Sequence, residues 1–326
     1  GGPTEAVDQL DSQDQGQYLN QYVDMGRTTL GQVYAEAREV SRLVAMIDRS
    51  YVVVLDRMAA QTSRNYQLSW RGRGARTTRS NTTSLQSFSW AGVSNDSARL
   101  DLDVVATGNL STTANASLYA PAWNSEEAID GVLVGTNGNS AAFISVMQVT
   151  PKDVAARVVS AVAQNGSPNV AAANIVSGKV KDTILFRLGD GNIGGDGVTA
   201  TGLAAMVRRE DGVVRAFAVT AATNLQIGDV RLTAADHAAI DAVLTATAPV
   251  TLGLTAGVDA LVFELSAELN GTVQIQLEAI PGLNPEITYR ARKNGVLLTS
   301  ELSQNGSRLT LFGIGAGSYV IEPSEC

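Results

Sequence analysis

Arg42-Leu43-Val44-Ala45-Met46-Ile47-Asp48-Arg49-Ser50-Tyr51-Val52-Val53-Val54-Leu55-Asp56-Arg57 is the stretch on which the fold turns. Its second half holds an unbroken apolar run, Tyr51 to Leu55, with four β-branched or aromatic side chains in five positions. Such side chains suit a pleated surface better than a helix turn. The run does not alternate with polar residues, so both faces of this strand are expected to be covered. That places it in the middle of a layered β structure. Asp56 and Arg57 follow where the strand is expected to leave the core. Neighbouring residues of a strand point to opposite faces, so these two need not pair with each other.

Working outward, the segments on either side read as more strands. Gln32–Val44 alternates well enough to be one, and Tyr18–Val23 reads as a short edge strand. Downstream come short candidates at Tyr51–Leu55, Tyr66–Trp70, Ser84–Trp90, Ala98–Val105, Ala116–Tyr119, Ala141–Thr150 and Ala156–Val162. Asp182–Leu188, Gly202–Arg208 and Val213–Val219 continue the series. Turn signals separate them, among them Gly72-Arg73-Gly74, Asn137-Gly138, Asp211-Gly212 and Asn294-Gly295. Asp-Gly between apolar runs is a strong hairpin signal. Short strands at this spacing predict an all-β fold: a large antiparallel β-sandwich, supersandwich-like, followed by a small C-terminal β module. The expected boundary lies at Ala248-Pro249, giving domains 1–248 and 249–326. Thr233–Thr245 is the one expected helix, with Thr233 as its cap and Ala235, Ile240, Val243 and Leu244 at helical spacing. The lone histidine, His237, falls in it and reads as an ordinary polar residue.

Composition narrows the function. The chain has 326 residues, 44% hydrophobic and 17% charged, with a net charge of -8. A folded protein fits those values. A general partner that is itself anionic does not, so neither nucleic acid nor an anionic membrane surface is expected. No apolar run is long enough for a membrane helix. With a single His and the single Cys326, a zinc site built from those residues is not available. Gly189–Asp196 is rich in oxygen ligands but lacks the spacing of a calcium-binding EF-hand loop, and reads as a polar turn. No cofactor is expected. The Asn-x-Ser/Thr sequences, such as those at Asn81 and Asn115, arise readily by chance in a Ser- and Thr-rich chain. The sequence opens Gly1-Gly2-Pro3 without Met, which points to a processed product, an engineered start or a piece of a longer chain.

The sharpest local feature is a run of arginines, Arg64, Arg71, Arg73, Arg76 and Arg79, in a stretch with no acidic residue from Arg57 to Ser94. The guanidinium is a permanent cation whose planar fork matches carboxylate or sulfate. Tyr66 and Trp70 lie in the same stretch and have rings suited to stacking on a sugar. Arg71, Arg73, Arg76, Arg79, Tyr66 and Trp70 are therefore the candidate substrate-binding residues for a polyanionic polysaccharide. The alternative is a solvated loop that neutralises nearby Asp or Glu, or that binds another chain. Catalytic residues are not identified. There is no Gly-x-Ser-x-Gly elbow and no phosphate loop, and Tyr18, Tyr22 and Tyr34 lack visible partners.

In order and spacing, three segments carry a resemblance. They are Arg42–Arg57, Ala141–Pro151, and Asp182–Arg187 with Gly202–Arg208, Asp211-Gly212 and Val213–Val219. Over most of residues 30 to 250 the sequence resembles the C-terminal β-sandwich region of heparinase II/III-like polysaccharide lyases, a group that includes alginate lyases. The resemblance implies a fold and a setting: an α/α toroid, as a domain or chain from the same precursor, beside a secreted or periplasmic β-sandwich at the cell surface. It also implies β-elimination at a uronic acid, with Tyr and His of the toroid as acid and base. Arg71 stands about where members of that group often carry a His beside an aromatic, and this departure puts intact chemistry in doubt. The competing expectation is a non-catalytic carbohydrate-binding or structural β protein of the cell surface.

Overall fold

The computed structural model describes residues 12–19, 23–30, 37–92, 98–122, 125–162, 169–188, 192–195, 198–226, 230–233, 237–240, 242–256, 261–265, 272–276, 286–306, 308–312 and 317–324. At 12–37, 117–128 and 213–276 it describes backbone alone. Among the described residues every regular element is a strand, which agrees with the all-β fold expected but not with the one helix expected over Thr233–Thr245. The chain divides into two compact units, the first built mainly on Ser50–Ala156 and the second mainly on Arg157–Cys326.

Ten strands make the first described sheet. They are β1 (Ser12–Leu19), β2 (Val23–Leu30), β3 (Ala37–Ile47), β4 (Tyr51–Gly72), β5 (Arg76–Asn81), β6 (Gln86–Trp90), β7 (Arg99–Ala106), β8 (Ser111–Ala114), β9 (Ser117–Ala122) and β10 (Ser125–Thr150). Their order is β1-β2-β3-β4-β10-β7-β6-β5, with β8 and β9 also pairing with β10. β4 lies at the centre, and its first residues are buried on both faces, as the unbroken apolar run predicts. Asp56 and Arg57 do point apart. Arg42 donates to Asp56 at 2.6 and 3.1 Å, while Arg57 pairs with Glu39.

β4 does not end at Arg57. Tyr51–Leu55 and Tyr66–Trp70, expected as separate strands, belong to one strand of 22 residues. β10 pairs antiparallel with it in two stretches, Met147 to Ser140 opposite Val52 to Ala59 and Gly138 to Asp130 opposite Arg64 to Gly72. Backbone pairing, not side-chain burial, holds the exposed residues Arg64 and Asn65 in the strand. Asn137-Gly138, expected as a turn, lies inside β10, and the register shifts between Gly138 and Ser140. Here Ala60–Ser63 of β4 face the single residue Asn139 of β10, and surplus residues of this kind bend a strand and increase its twist. Beyond the irregularity, Leu68, Val132 and Val134 share one buried cluster with Phe88, Leu102 and Phe143. The outer halves of β4 and β10 thus pack against the β6–β7 part of the same unit.

The second described sheet begins with β11 (Val158–Ala161), β12 (Val170–Ser177), β13 (Val180–Arg187), β14 (Asn192–Gly195), β15 (Val198–Thr201), β16 (Ala204–Glu210) and β17 (Val213–Gln226). β16 and β17 are joined by Asp211-Gly212 with φ of 51° and 83°, the positive pair that a tight hairpin needs. Asn294-Gly295 repeats the device, at 49° and 82°. The helix expected over Thr233–Thr245 is not formed. That segment contributes to strands Val230–Thr233, His237–Ile240 and Ala242–Ala256, with Thr233 opposite His237 and Leu244 opposite Val273. The segment is rich in Ala and its apolar spacing fits a helix, but cross-strand pairing overrides that local preference. The strand Ala242–Ala256 runs through Ala248-Pro249. Part of the edge strand expected at Tyr18–Val23 lies outside the described residues, as do Gln32–Glu36 of the strand expected over Gln32–Val44 and half of the turn expected over Gly189–Asp196, whose other half, Asn192–Gly195, is strand β14.

Candidate functional site

The arginine-rich segment begins in the outer half of β4 and ends in β5. Side chains alternate between the two faces of β4. Tyr66, Leu68 and Trp70 point inward, where Leu68 is buried and Tyr66 and Trp70 pack half-buried against the same cluster. Tyr66 donates its hydroxyl to the backbone oxygen of Asn139 at 2.7 Å, and desolvation holds its phenol above the ordinary value. Trp70 Nε1 is buried with no hydrogen-bond partner among the described residues. Neither ring is laid open as a platform.

Arg76 and Arg79 are engaged with carboxylates. Arg76 donates from Nε to Asp130 at 2.9 Å and lies 5.5 Å from the centre of the Phe88 ring. Arg79 sits where the β5–β6 register shifts between Thr78 and Ser80. This irregularity lets its guanidinium reach across β6 to β7. There it donates to both Asp103 oxygens at 3.0 Å and approaches Asp101 at 3.5 Å. Asp101 and Asp103 are 0% and 2% exposed. Asp101 also accepts from Ser89, from Thr150 at 2.9 Å and from Arg99 at 3.0 Å. Desolvation pushes the Asp103 carboxyl above its ordinary value, against the opposing pull of Ser87 and Arg79. Buried carboxylates need this degree of partnering.

Arg71 differs. It is exposed and has no carboxylate partner among the described residues. Arg64 and Arg73 are exposed too, and each engages a neighbour. Arg71 lies on the face of β4 opposite to Tyr66 and Trp70, so the six residues singled out in the sequence do not share one surface. Its own face is built by three strands. Gly131 of β10 stands opposite Arg71, and a Cβ at Gly131 would lie 3.1 Å from Arg71 Cγ and 2.4 Å from the Asn115 backbone oxygen. A Cβ at Gly135 would lie 2.9 Å from Gln67 Cγ and 3.1 Å from Asn65 Oδ1. These two glycines let Arg71 and Gln67 lean over the middle strand. From the other side, Asn115 donates its amide to Ser69 Oγ at 2.9 Å. Sequence reading missed Asn65, Gln67, Ser69, Ser111, Thr113 and Asn115. The polar-apolar alternation from Asn65 to Arg71 is the signal that marks the first three.

No protein-family model matches the chain, and no curated protein matches it. Among solved structures it is similar to heparinase III, the BT4657 gene product, with TM-score 0.45 and 16% identity over 54% of this chain and 28% of that one. A second heparinase III chain matches with TM-score 0.44 and 11% identity, over 54% of this chain and 27% of that one. The heparan sulfate lyase HepC from Pedobacter heparinus matches with TM-score 0.40 and 13% identity, over 50% and 26%. The chain spans about a quarter of the length of the solved chains it matches.

Proposed function

We propose that this chain is the β-sandwich part of a polysaccharide lyase acting on a uronic-acid glycan in a secreted or periplasmic setting. In this reading it holds the acidic polysaccharide while a toroid domain or chain supplies the acid and base for β-elimination. The observation that carries it is Arg71, an exposed guanidinium with no carboxylate partner among the described residues of a chain with net charge -8. A charge-assisted hydrogen bond to a uronate carboxylate is the interaction such a group is suited to make. The sequence resemblance over residues 30 to 250 supplies the expected reaction class. Arg73, exposed in the turn after β4, adds positive potential beside it.

The alternative is a carbohydrate-binding or structural β protein without catalysis. The use of Arg76 and Arg79 on Asp130, Asp101 and Asp103 favours it, since these cations serve the fold. Calorimetric titration of the chain with a short oligouronate tests the binding that both glycan readings share. Arg71→Ala is expected to weaken that binding about tenfold or more, because hydrogen bonds to charged groups contribute about 1.5–3 kcal/mol. Unchanged affinity removes the observation on which the proposal stands. Release of unsaturated uronate by the complete precursor, followed by absorbance, separates lyase from binding protein.

A further inference from the structure

The outward face shared by β4, β10 and β8 is chemically unlike the rest of the arginine-rich segment. Asn65, Gln67, Ser69 and Arg71 line it along β4, all exposed. β8 and the residue after it bring Ser111, Thr113 and Asn115 to the other side, in register through Leu133 opposite Thr113 and Gly135 opposite Ser111. Between them runs β10, whose Gly131 and Gly135 add no side chain and are buried under the flanking residues, with Leu133 half-buried at its centre. The tight approaches at the two glycines and the Asn115–Ser69 hydrogen bond show that both walls lean over β10. No described side chain on this face is a carboxylate. Asp130, the nearest acid along β10, accepts Arg76 instead.

From this we infer that the outward face of β4, β10 and β8 binds an extended polysaccharide through the hydroxyl groups of its sugars, with one acidic group of that chain at Arg71. The inference rests on the glycan-binding reading above and adds the surface and the way it recognises the ligand. Amide and hydroxyl side chains both donate and accept, as sugar hydroxyls do, whereas an anion needs donors only. The β4 wall from Asn65 to Arg71 is about 20 Å long and the three strands are about 10 Å across, which suits an extended chain. A docked protein would call for aromatic or other apolar anchors, and Leu133 is the one apolar side chain among the described residues named here. The positive end at Arg71 and the lack of carboxylates give charge complementarity to a glycan whose acidic groups are sparse along this length.

The test uses the whole chain with two probes, a short oligouronate and its carboxyl-reduced, uncharged counterpart. Gln67→Ala/Thr113→Ala is expected to weaken both probes by a similar factor, about tenfold for two neutral hydrogen bonds. Arg71→Ala is expected to weaken the oligouronate only. Shifts of the side-chain amide resonances of Asn65, Gln67 and Asn115 on adding either probe give a readout that needs no variant. If the double variant binds both probes as the wild type does, and those resonances stay still while Arg71→Ala abolishes oligouronate binding, this inference is overturned and the glycan-binding reading survives. If the wild type binds neither probe, both fall.

Discussion

Arg71 and Arg79 stand eight positions apart and meet opposite fates. Arg79, at an irregularity of β5, reaches two aspartates that the fold has buried, and its side chain is 33% exposed. Arg71, on regular β4, leans over a glycine and faces solvent. The residue type is the same. What differs is the face and the strand that lies within reach. A cluster of arginines in sequence is therefore not a cluster of available cations. Its members divide into groups that complete a core and groups that stay exposed to solvent, and only the second kind is open to an acidic partner.

The largest expected effect extends the buried side of this contrast to the second unit. Arg208 donates to Asp182 at 2.8 and 2.7 Å, with their side chains 6% and 2% exposed. Arg208 also pairs with Asp48 at 3.0 Å, so its removal takes a buried cation from two aspartates, of which Asp182 is itself buried. Arg208→Ala is expected to cost about 3–5 kcal/mol, read as a fall in the urea midpoint. A cost below about 1 kcal/mol would mean that burial does not set the energetic role of these arginines. Arg79→Ala comes next. Asp101 keeps Arg99, Ser89 and Thr150, so the loss falls chiefly on Asp103, at about 1–3 kcal/mol by the same measurement.

The same aspartate predicts a pH dependence. Desolvation raises the folded-state value of Asp103 above the ordinary value of about 3.9. The folded protein then holds that proton more tightly than the unfolded chain does. The group adds stability below its unfolded value and loses that contribution as pH rises through the folded value. Asp103→Asn removes the titration. Along a series of urea midpoints from about pH 7 down to about pH 4, wild-type stability should rise relative to Asp103→Asn. A difference that moves the other way would mean that Arg79 and Ser87 outweigh burial at this carboxyl.

Legibility followed the range of the interaction. Tyr51–Leu55 was readable because its own side chains specify a strand covered on both sides. The Asp211-Gly212 and Asn294-Gly295 hairpins were readable because two residues carry the geometry. The continuation of β4 through Arg64–Gly72 was not, since those residues are held by Asp130–Gly138 of β10, far along the chain. The strands over Thr233–Thr245 were hidden for a similar reason, as Leu244 pairs with Val273. The arginine stretch was visible, but the acids that engage it were not. Asp101, Asp103 and Asp130 lie beyond the acid-free run that drew attention to it. Nor was the polar face, half of which comes from Ser111, Thr113 and Asn115.

The smallest expected effect is the one that separates the two arginines most cleanly. Arg71→Ala should leave the urea midpoint within about 0.5 kcal/mol of wild type, as is usual for exposed positions without special partners. The stem of Arg71 also covers Gly131, and a long side chain contributes packing as well as charge. Arg71→Met separates the two, since the stem is largely kept while the cation is lost. If Arg71→Ala destabilises by more than about 1 kcal/mol and Arg71→Met restores the midpoint, the residue serves the sheet through its carbon chain. If Met does not restore it, the charge itself has a structural partner, and Arg71 belongs with Arg79. Only when both variants keep wild-type stability does a loss of oligouronate binding in both report on the guanidinium alone.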